Sequence, residues 1–478
     1  MFLFKKYQSV LLIFISAILY FLFAYFLERT AFNFLVFLWF SLFGCFYLLM
    51  KNCQISFSNL VGVSIIFRLI FLFATPNLSQ DFYRFIWDGR MILEGLNPYL
   101  SLPETFIQQS KYPIAEAAEL YAGMGEMNGS HYTNYPPLNQ LCFLIAAIFS
   151  SKNIFGSVIV LRLIIILADV GILYFGKQLL EKLNLPVKNI FWYILNPFVI
   201  LEMTGNLHFE PVMLFFLVWS LYKLHQQKWI WAAILMACSI SVKLIPLLFL
   251  PLFFQWFVKK TYGNVNEMKQ SLTDKKNISL SAYQNENSRF YLNGVLKLIA
   301  FNIIILGTTI FLFSPFYSST LIENYTNSVG LWFRNFEFNA SFYYIFREIG
   351  YLFRGWNEIA IIGKVTPILT IVFLTIITFF RKNKTKTQLI TAMLFGLCFY
   401  YFTATTVHPW YVATPLILSI FTKYKFPIVW SFLIILSYQA YANTPWQENL
   451  WFVALEYIIV YVYLVYELRN DYRRKTDI

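Results

Sequence analysis

The sequence predicts an all-α integral membrane protein with about 11–14 transmembrane helices and amphipathic interfacial helices in its outer loops. Three observations carry that reading. Of 478 residues, 59% are hydrophobic and 13% charged, whereas a soluble domain has roughly 45–50% and about 25%; no water-soluble globule hides that much apolar surface. Apolar runs of about 20 residues, the length a helix needs to cross hydrocarbon, recur from Ser9 to Glu467. Most Lys and Arg sit in the short loops between those runs.

Taken in order, residues 1–75 are N-terminal spans. The first run follows Lys5 and Lys6, and no small-residue cleavage site precedes the next run near Ala31, so it is expected to be a retained span and signal anchor. Because Lys and Arg are held on the cytoplasmic side during insertion, Lys5 and Lys6 put the N-terminus inside, Glu28 and Arg29 outside, and Lys51 inside. Residues 76–136 are then the first large outer loop, where seven carboxylates from Asp81 to Glu126 outnumber the three bases Arg84, Arg90 and Lys111. Central spans occupy 137–258, and 259–293 is a basic, Asn/Ser-rich cytoplasmic linker. C-terminal spans fill 294–478 around a second outer loop, 314–358, with an amphipathic aromatic stretch at 341–353.

Two places break the alternation of sides. Lys152 separates two apolar runs between Pro136 and Lys177, so either the short run 138–150 is re-entrant or the charge rule fails locally. Residues 228–259 form one apolar stretch interrupted by Lys243, Pro246 and Pro251, which is better read as two half-helices than as one span. The chain shows no internal repeat. Its formal charge of +13 lies in loops flanking spans, where topology and anionic headgroups account for it, so nucleic acid is excluded as a partner and membrane lipids are included. The five cysteines lack CxxC spacing and lie mostly in apolar runs, which argues against disulfides and zinc.

The richest polar segment spans residues 80–99. On a helix, Asp81, Arg84 and Asp88 project to one side, while Phe82, Phe85, Ile86 and Met91 form an apolar surface. Such a helix is expected to rest on the outer interface with its carboxylates aimed over the bundle, although a solvated amphipathic helix has the same pattern. Tyr135 belongs to Asn134-Tyr135-Pro136-Pro137, where consecutive prolines hold the chain extended as it re-enters the membrane. Asn206, His208 and Glu210 share a short outer loop: hydrogen-bonding and proton-transfer groups at the membrane mouth, or simply a polar loop cap.

Lys243 lies in an apolar stretch where an unpaired ammonium costs about 3 kcal/mol or more, so it either meets an anion or snorkels to headgroups. His408 opens His408-Pro409-Trp410-Tyr411 as a donor to a phosphate oxygen, with Trp410 and Tyr411 either lining a sugar or lipid site or anchoring in the aromatic belt. Arg162 and Asp169, seven apart in one span, are expected to neutralise one another.

In this order, DFYRFIWDGRMILEGLNPY (81–99), NYPPL (134–138), NLHFEP (206–211), VKLIP (242–246) and HPWY (408–411) resemble the bacterial polytopic mannosyltransferases of the GT-C glycosyltransferase superfamily. They resemble, more distantly, the first mannosyltransferase of GPI-anchor synthesis. The likeness implies a GT-C-like helical bundle that moves a hexose, most often mannose, from a polyprenyl-phosphate sugar donor to a glycan or lipid acceptor. It implies a site on the extracytoplasmic face of a bacterial inner (plasma) membrane, and usually inversion.

An acidic residue of the first large outer loop is the base in that family, which here falls on Asp81 with Asp88 in support. Gln80 and Phe82 flank Asp81, so the Asp-x-Asp of the eukaryotic relatives is lacking, and neither the choice between the two acids nor use of a divalent cation follows from the motif. Lys243, His408 and Arg84 are the candidates for the departing phosphate, and Asn206, His208 and Glu210 for sugar hydroxyls. A transporter or flippase for lipid-linked sugars is the rival class, since it also keeps intramembrane charges and broken helices but needs no fixed acid. A non-catalytic membrane scaffold is the third.

Overall fold

The computed structural model describes residues 2–51, 55–258, 280–334 and 336–476. The chain is 77% helical, and its described residues form no strand beyond a single bridge between Phe338 and Thr406, so it is all-α. Among the described residues, six helices are long and apolar enough to cross a bilayer: Tyr7–Phe26, Phe32–Lys51, Ile154–Lys182, Tyr291–Phe316, Ile359–Phe379 and Leu450–Arg473. Large apolar side chains such as Phe14, Leu167, Phe311 and Ile371 lie exposed on them, which is tolerable only against lipid. The protein is an integral membrane protein.

The remaining spans expected from hydropathy are divided differently. Phe57–Leu69, Pro137–Phe149, Trp229–Ile240, Ile245–Val258, Pro409–Ile420 and Phe426–Ala442 are shorter apolar helices of 10–17 residues. Val199–Gly205, a π-helix, and Glu210–His225 are apolar together and bend by 112° at their break, the form of a broken span or a re-entrant loop. The interruption expected near Lys243 is present: Trp229–Ile240 ends there, and a 3₁₀ helix, Ile245–Leu252, begins beyond it. Pro137–Phe149 has 13 residues, too few to cross alone, and ends in the turn before Ile154–Lys182, as a re-entrant segment does.

Proline explains where the polar breaks fall. Pro137, Pro211, Pro246 and Pro409 each occupy the first turn of a helix, where a missing N–H costs nothing and φ is already helical. The polar residues just before each proline are therefore fixed at helix starts, and four of the five motifs are such junctions.

Three expectations change. The Asp81–Leu93 helix does not rest on an interface. Phe82 and every residue from Arg84 to Met91 are buried, because helices Ala117–Gly129 and Pro137–Phe149 pack against it. Arg162 and Asp169 do not pair: Arg68 Nε donates to Asp169 at 2.8 Å, while Arg162 donates to the carbonyls of Thr204, Gly205 and Leu72. The buried guanidinium satisfies carbonyls that the π-helix end leaves open, a stronger demand than charge neutrality within its own span. The linker expected at 259–293 lies outside the described residues over 259–279, and its last part belongs to helix Leu280–Phe313. The segment 314–358, expected as the second outer loop, carries two amphipathic helices, Leu321–Arg334 and Phe342–Arg354; the second exposes Ile345, Ile349, Leu352 and Phe353.

Candidate active site

The helix junctions meet around a cavity of about 260 Å³. Asp81 and Phe85 reach it from the Asp81–Leu93 helix, Asn128 from Ala117–Gly129, and Tyr135 from the double-proline loop. His208 and Glu210 come from the bend in the broken span, Lys243 from the gap between half-helices, and His408, Trp410 and Tyr411 from the start of the 3₁₀ turn Pro409–Val412. Thr366 and Pro367 of Ile359–Phe379, with Tyr400 and Tyr401 of Lys386–Thr403, close the side that faces the spans. A concave site with an apolar wall and a few converging polar groups is the expected form of a small-molecule pocket.

Asp81 stands in the first turn of its helix, where the positive end of the macrodipole favours a carboxylate. The Asn128 side-chain amide approaches its Oδ1 at 3.5 Å. Burial nevertheless raises the Asp81 carboxyl above the ordinary carboxylate range, opposed by the charges of Lys243 and Arg29 and by the Asn128 contact. An acid held in this way is a better proton acceptor than one in water.

Lys243 does find an anion: its Nζ donates to Glu210 Oε1 at 2.5 Å, with Glu210 buried and Lys243 partly open to the cavity. Snorkelling is not its role. Lys243 therefore already holds a counter-ion, Glu210, while its charge still acts on Asp81 and His408.

A second cation lies near. Arg29, at the turn between the first two spans, stacks its guanidinium 3.3 Å above the Tyr441 ring, and its charge acts on Asp81, His208 and His408. Among the described residues no carboxylate forms an ion pair with it.

The two histidines are linked through Trp410. His208 lies 3.8 Å from the indole at 20°, and His408 4.5 Å at 5°, three near-parallel rings along one wall. Burial, together with the charges of Lys243 and Arg29, pushes the His408 imidazole down to about 3, which favours the neutral ring at physiological pH. Tyr411 stacks on Tyr401 at 5.5 Å. Tyr135 packs edge-on to Phe85, and its carbonyl accepts from Tyr99 Oη at 2.6 Å, which fixes the double-proline loop.

Three residues singled out by sequence lie outside the cavity lining. Asp88 is fully buried and accepts from Arg84 Nε at 2.8 Å and from Gln140 Nε2 at 2.9 Å. Arg84 is engaged by that pair and by the carbonyls of Asn128 and His131, so it pins the end of the helix that carries Asn128 and stands outside the cavity lining. Helical spacing placed Asp81 and Asp88 on one side, but packing on all sides of the helix separates their environments. Asn206 is a clamp: its Oδ1 accepts from the backbone N–H groups of Asn77 and Leu78, and its Nδ2 donates to the Leu201 carbonyl.

Sequence reading passed over Arg29, Asn128, Glu202, Tyr400 and Tyr401. Arg29 served only as a topology marker. Glu202 carried a usable signal, an acid within an apolar run. The described residues contain no group of three His, Cys, Asp or Glu side chains able to hold a metal ion.

No curated protein matches the chain. The family model described as alpha-(1->6)-mannopyranosyltransferase, N-terminal domain, matches residues 9–259. That stretch is more than half of the chain and holds Arg29, Asp81, His208, Glu210 and Lys243, stopping short of the His408 turn. An integral membrane protein whose matched half carries Asp81, His208, Glu210 and Lys243 to a cavity at its helix junctions, the chain belongs to the alpha-(1->6)-mannopyranosyltransferase family and is a glycosyltransferase.

Proposed function

We propose that the cavity transfers mannose from a polyprenyl-phosphate donor to a glycan or lipid acceptor at the extracytoplasmic face of a bacterial inner membrane, by the inverting chemistry of GT-C enzymes. One observation carries the reading: Asp81, Tyr135, His208, Glu210, Lys243 and His408, drawn from five separated motifs, border one cavity.

A phosphate-activated sugar needs three things from its enzyme: a base for the acceptor hydroxyl, alignment behind the anomeric carbon, and stabilisation of the leaving phosphate. Asp81 takes the acceptor proton as the acceptor oxygen bonds to the anomeric carbon. The bond from that carbon to the phosphate oxygen breaks with its electron pair, and the configuration inverts. Lys243 and Arg29 offset the charge developing on the phosphate, and neutral His408 donates a hydrogen bond to it. His208 and Glu210 hold sugar hydroxyls.

The side assignment is supported by the loops that border the cavity. Asp81 and Tyr135, His208, Val329 and His408 come from segments read as outer. The wall formed by Thr366, Pro367 and Tyr400 suits a donor whose other end is a lipid chain. The test is direct. Detergent-solubilised protein given radiolabelled polyprenyl-phosphate mannose and a membrane acceptor extract should form labelled product, and the Asp81→Asn protein should not; turnover by that variant would sink the assignment.

A further inference from the structure

The reaction drawn above leaves a fully buried acid beside His208 without a task. Glu202 lies on the Val199–Gly205 π-helix, behind the cavity wall. Its Oε1 accepts from Tyr438 Oη at 2.8 Å. Its Oε2 faces His208 Nε2 at 3.7 Å, and neither of these two buried atoms has a hydrogen-bond partner among the described residues. The gap is too long for a hydrogen bond but closes with a sub-ångström shift.

The backbone brings the two together at a local cost. Leu207 adopts φ of 62°, in the left-handed region that a leucine rarely occupies, and the chain reverses between the π-helix and Glu210–His225. π-helical turns and left-handed non-glycine residues gather at functional sites. His208 itself lines the cavity and stacks on Trp410, so whatever fixes its ring also fixes that wall.

We propose that Glu202 is a positioning residue for mannosyl transfer. Anchored by Tyr438, it closes on His208 Nε2 when substrate fills the cavity, holds the ring proton on that nitrogen, and leaves the other ring nitrogen as acceptor for a substrate hydroxyl. The arrangement is that of a carboxylate orienting an imidazole, and it rests on the cavity being the transferase site.

Glu202→Gln tests it with little change of shape, because the amide oxygen still accepts from Tyr438 while the amide N–H donates to Nε2 and reverses the tautomer. The expected result is a loss in kcat of about 10–100-fold with KM for polyprenyl-phosphate mannose nearly unchanged. In a His208→Ala background the same change should cost nothing further. Tyr438→Phe, which removes only the anchoring hydroxyl, should give a smaller loss in kcat that also vanishes with His208→Ala, and it answers the question if Glu202→Gln does not fold.

Full kcat in Glu202→Gln, or losses that multiply with His208→Ala, would overturn the positioning role. Asp81→Asn measured in parallel separates the two readings. If Asp81→Asn is inactive and Glu202→Gln fully active, only the positioning role falls; if Asp81→Asn turns over, the proposed reaction falls.

Discussion

At the scale of single residues, environment separates two acids that the sequence presents alike. Asp81 and Asp88 lie seven apart on one helix, yet one borders the cavity and the other is locked between Arg84 and Gln140. Asp81→Asn is expected to lower transfer by about 10²–10⁴-fold, the usual worth of a general base, without a fall in thermal midpoint measured in detergent. The raised Asp81 pKa fixes a pH sign. Below its pKa the carboxyl already holds a proton and cannot accept another, so kcat/KM should rise with pH along a limb lying above the ordinary carboxylate range. Lys243→Met removes a charge that lowers this pKa, so the limb should move to still higher pH; a limb that stays put in that variant would detach Lys243 from Asp81. Arg29→Gln should weaken turnover more at low than at high ionic strength only if its charge reaches the substrate, which a salt series reads.

At the scale of elements, the site depends on close helix packing. Asp88→Asn removes one partner of a buried ion pair, and breaking such a pair costs about 3–5 kcal/mol; its thermal midpoint should fall while kcat per folded molecule stays within a few-fold. Gly89 marks where the Asp81–Leu93 helix touches Pro137–Phe149. A Cβ there meets the Phe143 carbonyl oxygen at 2.2 Å, so Gly89→Ala must push the helices apart, whereas Gly62→Ala meets nothing within 4 Å. Size-exclusion profiles should show Gly89→Ala aggregated or absent and Gly62→Ala unchanged. Much at this scale was legible in sequence, because prolines and charges inside apolar runs announce breaks: Pro246 and Lys243 gave the half-helices, and Pro137 the start of the short one. Illegible were the bend at Leu207 and the all-round burial of Asp81–Leu93, since both depend on neighbours distant in the chain.

For the whole molecule, the topology read from Lys and Arg makes its own prediction. In a chain with its native cysteines replaced, a cysteine at the exposed Glu94 should react with an impermeant thiol reagent on intact cells, and one at the exposed Glu181 only after permeabilisation; the opposite pattern would turn the cavity toward the cytoplasm. Membrane residence, the all-α class and the motif segments that border the cavity followed from sequence alone, because hydropathy, loop charge and proline position are local properties that each residue carries wherever it lies. Which acid borders the cavity, that Lys243 is already paired with Glu210, that Arg84 and Asn206 serve the scaffold, and that Arg29 and Glu202 stand beside the site were decided only by tertiary structure. The reason is that a charge in a low-dielectric interior acts according to what lies within a few ångströms of it, and those neighbours come from helices hundreds of residues apart, as when Tyr438 meets Glu202.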